Sequence, residues 1–600
     1  MRLLRCARND GINRPGAALL VVLFVVMVVT VLSLGFLSRS DVELACGGNM
    51  ILRTQMDYLA ESGLEHARGL ILNPQDVKFG INPPDKPVGF WTGAVGQQLA
   101  AGSDDYYDIK VVRDDSVPTN RCNYIIDCNS YRLKAGEKVG HTSLEAELRL
   151  DPCIAYWAGG DTTISQRITV NGDVYCNGTL IYLRQIGGDV FANSLTGNPD
   201  DIVGRQEVIG DLSLQWPQVT VGDFTSRYTV QSIGSTLSGV TYGPYDPVQV
   251  CYNGGGDVEL AGNVQIYGML VVEGDLTIRA VLEGGNVITA GKNLPALLVT
   301  GDLKVENGGG LDIDGLAVVE GEVQISADSA NLNINGGLFT HNGIVETTTD
   351  SSGNGNDGTL TNMAGGEWTT GFVGGALEFD GNEDYVTIAE SSDFKFGTGD
   401  FGMGAWVKTS ATTTSYIIDN YQGTVGEVGC QIVMNADGTV YFEVRGGTLL
   451  QITSTTTIND GAWHHIFGSA DRDTQMNLYI DGAIAAPTGG TNSDKIDNSN
   501  PVLIGVNTWQ SDPLGSFFSG IIDDVRIYNH ALEPNDVNDI YHLVGGPGGL
   551  VGHWKLDEDG SSNVSITAAP SKTAIVVWPG GVAEKWGSAA GAFFRSIRRK

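Results

Sequence analysis

The 600-residue sequence predicts a mainly β protein with one long N-terminal transmembrane helix, a central parallel β-helix or solenoid, and an antiparallel β-sandwich towards the C-terminal end. Three observations carry this expectation. An uncharged apolar run occupies Ala17 to Leu37, a Gly-Asp motif recurs through the middle, and alternating apolar segments broken by Gly, Asn and Asp follow it. Glycine, at 82 residues, is the compositional outlier. Outside the N-terminus it punctuates short runs rich in Val, Ile, Leu and Thr, where its access to positive φ suits tight turns between strands. A chain of this length exceeds what one hydrophobic core can organise, so several domains are expected.

Composition also bounds the partners. The formal net charge of -34 repels phosphate backbones, so nucleic acid is excluded as a partner. The segment GGNVITAGKN at 284–293 misses the phosphate-loop spacing, and no nucleotide site is expected. The eight cysteines form no CxxC pattern and no Cys/His spacing suited to zinc. Cys122 and Cys128 lie in a turn-like stretch, RCNYIIDCNS, where a local disulfide would suit an oxidising compartment. For Cys153, Cys176, Cys251 and Cys430, buried free thiols are an equal reading.

As a helix rising about 1.5 Å per residue, Ala17–Leu37 just spans the hydrocarbon core of a bilayer. Arg2, Arg5, Arg8 and Arg14 precede it, which places residues 1–16 in the cytoplasm and the bulk of the chain outside. The alternative, a cleavable secretory signal, fits poorly because the run is long and no small-x-small site follows it cleanly. The helical pattern then continues, with Leu52, Met56, Leu59, Gly63, Ala67 and Leu70 on one face until Pro74. Arg14-Pro15-Gly16 before the run and LAESGLEHARGLIL at 59–72 resemble the PilX-type minor pilins and type II secretion pseudopilins. The resemblance implies prepilin processing between Gly16 and Ala17, pilus or pseudopilus subunits as partners, and a bacterial inner-membrane protein with its bulk periplasmic or at the cell surface. Val21 stands where most pilins carry Glu, as in some minor subunits, which argues against a major filament subunit.

Between residues 156 and 345 an apolar pair, Gly-Asp or Gly-Glu, and an alternating apolar segment recur. The copies read TVNGDVYC (169–176), QIGGDVFA (185–192), EVIGDLSL (207–214), NGGGDVEL (253–260), VVEGDLTI (271–278), LVTGDLKV (298–305) and VVEGEVQI (318–325). The spacing approximates one coil of a parallel β-helix, with every second side chain pointing into a narrow core. The repeated Asp is read as a corner former; it lacks the spacing of calcium-stacking repeats. The stretch broadly resembles bactofilin-like and other polymer-forming β-helical segments.

From about 346 to 545, DSSGNGNDGTL (350–360), GGALEFDGNEDYVTI (374–388), FGMGAWVKTS (401–410), DGAWHHI (460–466), LYIDG (478–482) and GIIDDVRIYNHAL (520–532) follow one another. They resemble a LamG-like jelly roll of the concanavalin A-like lectin class. The resemblance implies a carbohydrate- or protein-binding module, and a structural Ca2+ for which Asp380 and Asp523 are the candidate ligands; the open alternative is that both aspartates cap turns. His464 and His465 are read as one packed and one exposed strand residue. No strand carries the paired carboxylates of a glycosidase and no nucleophilic triad has supporting context, so an enzyme is not expected. GLVGHWKLDEDGSSN at 549–563 looks like that family's first strand, displaced to follow the last, and is expected to pair beside Asp524–Tyr528.

The expected organisation is a leader at 1–16, the transmembrane and amphipathic helix at 17–73, a linking α/β region at 74–155, β-helix repeats at 156–345, the jelly roll at 346–545, and the displaced strand with a basic tail at 546–600. The function expected is surface display of a recognition module for adhesion. The alternative is a structural envelope protein whose β-helix polymerises, with the jelly roll as spacer.

Overall fold

The computed structural model describes residues 15–72, 81–82, 86–87, 92–113, 123–151, 154–208, 219–245, 247–280, 285–291, 294–363, 367–422, 428–486, 490, 493–507, 516–568 and 591–599. The first element is a single 58-residue helix, Pro15–Leu72. Val22–Leu37 are exposed along its first half, and the helix is long and apolar enough to cross a membrane. Its second half is buried on one face only. Met56, Leu59, Ala60, Leu64, Ala67 and Ile71 pack on Tyr107, Ile109, Tyr124, Ile126, Cys128, Ala146 and Leu148.

Those partners belong to an antiparallel sheet of Gly93–Gln97, Asp105–Arg113, Asn123–Lys134, Glu137–Asp151 and Gly591–Arg599. Together, helix and sheet form a head. Two expectations change here. Residues 74–155 are strand rather than α/β among the described residues, and the end of the basic tail is an edge strand of the head, in register with Glu137–Asp151. The free edge of that strand supplies backbone donors and acceptors that a loose tail would have left to water.

The chain then enters the predicted β-helix in the middle. Ile154–Ala158 pairs in parallel with Asp173–Tyr182 on one side and with Leu338–Thr340 on the other. Residues 154–208 wind outwards in one direction. The chain resumes at the far end with Thr229–Ser232 and winds back through Gln249–Tyr252, Gln265–Val272, Leu297–Val299 and Ala317–Val319. Val258, Leu276, Leu303, Val323 and Ile344 stack one above another in the core.

The Gly-Asp corners follow from this stacking. Asp257 Oδ1 accepts from Asp275 N (2.9 Å), Asp275 Oδ1 from Asp302 N (2.9 Å), and Asp302 Oδ1 from Glu322 N (3.0 Å). Each carboxylate thus satisfies a backbone donor of the next coil. The preceding glycine is required because a Cβ at Gly301 would fall on Asp275 Oδ1, and one at Gly321 on Asp302 Oδ1.

At Thr348 the chain leaves the solenoid to build the jelly roll, whose two sheets enclose a core including Phe379, Met403, Ile432, Phe442, Leu478 and Ile527. The displaced strand Leu550–Trp554 pairs antiparallel with Ser519–Tyr528, Val525 opposite Trp554, as expected. Trp554 is fully buried, and its indole donates to Asn356 O (2.8 Å). The chain then returns to the solenoid, where Asn563–Thr567 fills a vacant strand position between Asn331–Asn335 and Ile168–Asn171. The jelly roll is therefore inserted within one coil of the β-helix, and the β-helix within the head. The C-terminal segment completes all three in turn.

Candidate functional site

The larger jelly-roll sheet includes Ser415–Gln422, Val428–Met434, Thr439–Gly446 and Leu449–Thr457. Ile418, Ile432, Phe442 and Ile452 stand in register and face the core. Neighbouring residues point the other way. Asp419, Gln431, Glu443 and Gln451 therefore form a row across four strands on the outer face, the first three buried and Gln451 exposed. A second row beside it holds Tyr416, Val433, Tyr441 and Thr453. Burial raises the Tyr441 phenol, reinforced by Tyr416, Glu443 and Asp419. Next to these, Arg445 Nη1 donates to Tyr421 Oη (3.2 Å). The groups this face presents to solvent, the Gln451 amide and Thr453 hydroxyl with the half-buried Tyr416 and Tyr441 phenols, can donate to and accept from a polyhydroxylated or peptide ligand. Its two carboxylates sit on different strands with Gln431 between them. Sequence spacing cannot show this row, because strand register brings it together.

The two aspartates expected to share calcium do not meet. Asp380 lies opposite Ser519 in the ladder, four positions from Asp523 along the strand Ser519–Tyr528. That separation is roughly 13 Å at about 3.3 Å per residue, beyond the reach of two short side chains to one ion. Each caps a turn instead. Asp380 Oδ1 accepts from Asn382 N (2.6 Å), and Asp523 Oδ2 accepts from Phe372 N (2.7 Å) and Val373 N (2.9 Å). Among the described residues no group of three or more His, Cys, Asp or Glu side chains is arranged to hold a metal. Burial pushes the Asp523 carboxyl up to about 7, and that of Asp384, whose Oδ2 accepts from Asp380 N, likewise to about 7.

His465 is buried against Trp406, and burial pushes its pKa down to about 4. His464 is half-buried between Asp481 (2.9 Å) and Asp460 (3.2 Å), which outweigh burial and raise it. The displaced strand adds a buried charge cluster, in which Asp524 Oδ1 lies 2.6 Å from His553 Nε2 and Asp524 Oδ2 lies 2.9 Å from Arg526 Nη2. The cluster fixes this strand to its neighbour.

At the other end of the chain, Gly16 and Ala17 lie in the first turn of the long helix. Cys128 is a free thiol, which corrects the expected disulfide; it points under the helix, where a Cβ at Gly63 would fall on its Sγ. Burial pushes its thiol up to about 12. Cys122, its expected partner, and Cys153 lie outside the described residues, whereas Cys176, Cys251 and Cys430 are buried free thiols.

Residues 380–538 match the family model for the concanavalin A-like lectin/glucanases superfamily. The jelly roll is thus a concanavalin A-like domain. No protein of curated function matches the chain. Among solved structures, the binding domain of Paraclostridial Mosquitocidal Protein 1 is similar at 18% identity and a TM-score of 0.28, over 33% of this chain and 49% of that one. Domain 4 of AbnA, an extracellular arabinanase from Geobacillus stearothermophilus solved with arabinotriose, is similar at 22% identity and 0.26, over 33% and 98%. The binding domain of botulinum neurotoxin DC, solved with rat synaptotagmin II, is similar at 13% identity and 0.26, over 33% and 51%. The chain spans about half the length of the first of these.

Proposed function

We propose that this chain is a membrane-anchored, extracytoplasmic surface protein of minor-pilin type that displays its concanavalin A-like domain as a carbohydrate- or protein-binding module without enzymatic activity. One observation carries the reading: a single continuous helix is exposed and apolar in its first half and buried against the head in its second. A free apolar helix of that kind finds its solvent in a bilayer or among like helices of a filament, and its buried half ties the anchor rigidly to the head. The long helix on an antiparallel sheet is also the arrangement a pilin-like subunit requires. The nested insertions support display, since both ends of the jelly roll are held in the β-helix and both ends of the β-helix in the head. Exposed Gln451 and Thr453, with half-buried Tyr416 and Tyr441 beside them on the outer face, support hydrogen-bonded recognition. N-terminal mass spectrometry of the membrane-extracted protein tests the pilin-type reading: the mature chain should begin at Ala17 with a methylated amine. A chain that keeps Met1, or begins beyond Leu37, contradicts it.

A further inference from the structure

The large jelly-roll sheet and one face of the β-helix form one continuous 13-stranded sheet. The join is Ile344–Thr348, which pairs on one edge with Val323–Ser326 of the solenoid and on the other with Gly358–Thr361 of the jelly roll. With that second edge taken, the neighbouring solenoid strand Thr162–Ile164 pairs, among the described residues, with Asp173–Tyr182 alone. The two surfaces splay apart, leaving a cavity of about 400 Å3 between the β-helix and the jelly roll, within the size range of small-ligand sites.

The walls come from both domains. Thr163, Thr179 and Ile181 face it from the β-helix, and Thr359, Thr361 and Asn362 from the jelly roll. The floor is held by a buried ion pair between Arg167 and Glu346; Ser165 Oγ donates to Glu346 Oε1 (2.5 Å) and Arg167 Nε to Gly560 O (2.9 Å). Glu346 is paired with Arg167, Asp161 Oδ1 accepts from Thr179 N (2.6 Å), and the rest of the lining is mixed, hydroxyl and amide groups set among a larger apolar surface from Ile168, Ile181, Ile344, Val345, Leu360 and Met363. Such a surface offers donors and acceptors to hydroxyls and apolar contact to C–H faces. It offers no counter-charge cluster to an anion.

We infer that this cleft is a second binding site, distinct from the outer row, that takes one or two rings of a neutral oligosaccharide and clasps them between the two domains. The assignment rests on the reading of the chain as a ligand-displaying surface protein. Because the occupant touches both walls, a bulky side chain on either wall expels it.

The test is isothermal titration of the full chain in detergent micelles with a panel of neutral di- and trisaccharides, alongside uncharged tetrapeptides. At least one saccharide should bind, and both Thr163→Trp and Thr361→Trp should weaken it tenfold or more while leaving the melting temperature of the ligand-free protein unchanged. The inference fails if no neutral saccharide binds, if only peptides bind, or if Thr163→Trp leaves saccharide binding intact. Saccharide binding that survives both variants but is lost on Gln451→Ala would keep the jelly roll as a binding module and remove the cleft.

Discussion

Ile566 stands in parallel register with Ile334 on one side and Val170 on the other. It thereby joins two arms of a solenoid that the chain builds from opposite ends. Ile266, Ile288, Ile313, Ile334, Ile566 and Val170 form one unbroken buried ladder. Ile566→Ala should therefore cost about 2–5 kcal/mol, the price of a large core truncation. Amide hydrogen exchange should show the loss in Asn331–Asn335 and in Ile168–Asn171 alike. Protection lost in only one of these strands would mean that the C-terminal segment does not bridge the arms.

The Gly-Asp corner makes a second prediction. Asp275→Ala removes an acceptor for Asp302 N and the 2.7 Å ion pair with Lys304, a loss of about 1–2 kcal/mol. Gly301→Ala should cost more, because its Cβ also meets the Gly274 backbone at 2.8 Å, which cannot swing away. Denaturant melts followed by a probe in the solenoid rank the two variants, and an equal or reversed order would argue against the corner geometry.

Much of this fold was legible in the sequence because its signals are local. The apolar run, the Gly-Asp repeat and the Trp554-bearing displaced strand each announce themselves within a few residues. The order of assembly was not legible. Nothing near Leu338 says that it pairs with Tyr156, since parallel pairing between distant segments leaves no local trace. The calcium pair failed for the same reason: Asp380 and Asp523 are both turn-capping residues in suggestive motifs, yet register sets them four positions apart. Register likewise assembled the outer row from Asp419, Gln431 and Glu443, whose individual strands show nothing unusual.

Asp523 predicts a pH dependence. Its carboxyl is raised by burial from an ordinary value of 3.8 to about 7, so the folded chain keeps a proton that the unfolded chain releases. The associated stability is fully present below about pH 4 and is lost as pH rises to about 7. Asp523→Asn, which never ionises and retains an acceptor for Phe372 N, should melt above the wild type at pH 8 and level with it at pH 4. A wild type that is the more stable of the two at pH 8 would contradict this.

Cys128 gives a chemical readout of the head. Under non-reducing conditions it should resist iodoacetamide in the folded protein and be alkylated on unfolding. Gly63→Leu, which drives a side chain into its Sγ, should expose it to reagent in the otherwise native chain. Cys128 recovered in a disulfide would restore the pairing that the structure replaces.

Protease treatment of spheroplasts, followed by fractionation, tests display from the membrane most directly. The intact chain should sediment with membranes and resist extraction by alkaline carbonate, and protease added outside should remove the jelly roll while sparing cytoplasmic markers. A chain recovered in the soluble fraction, or a jelly roll protected until the membrane is lysed, would contradict the account.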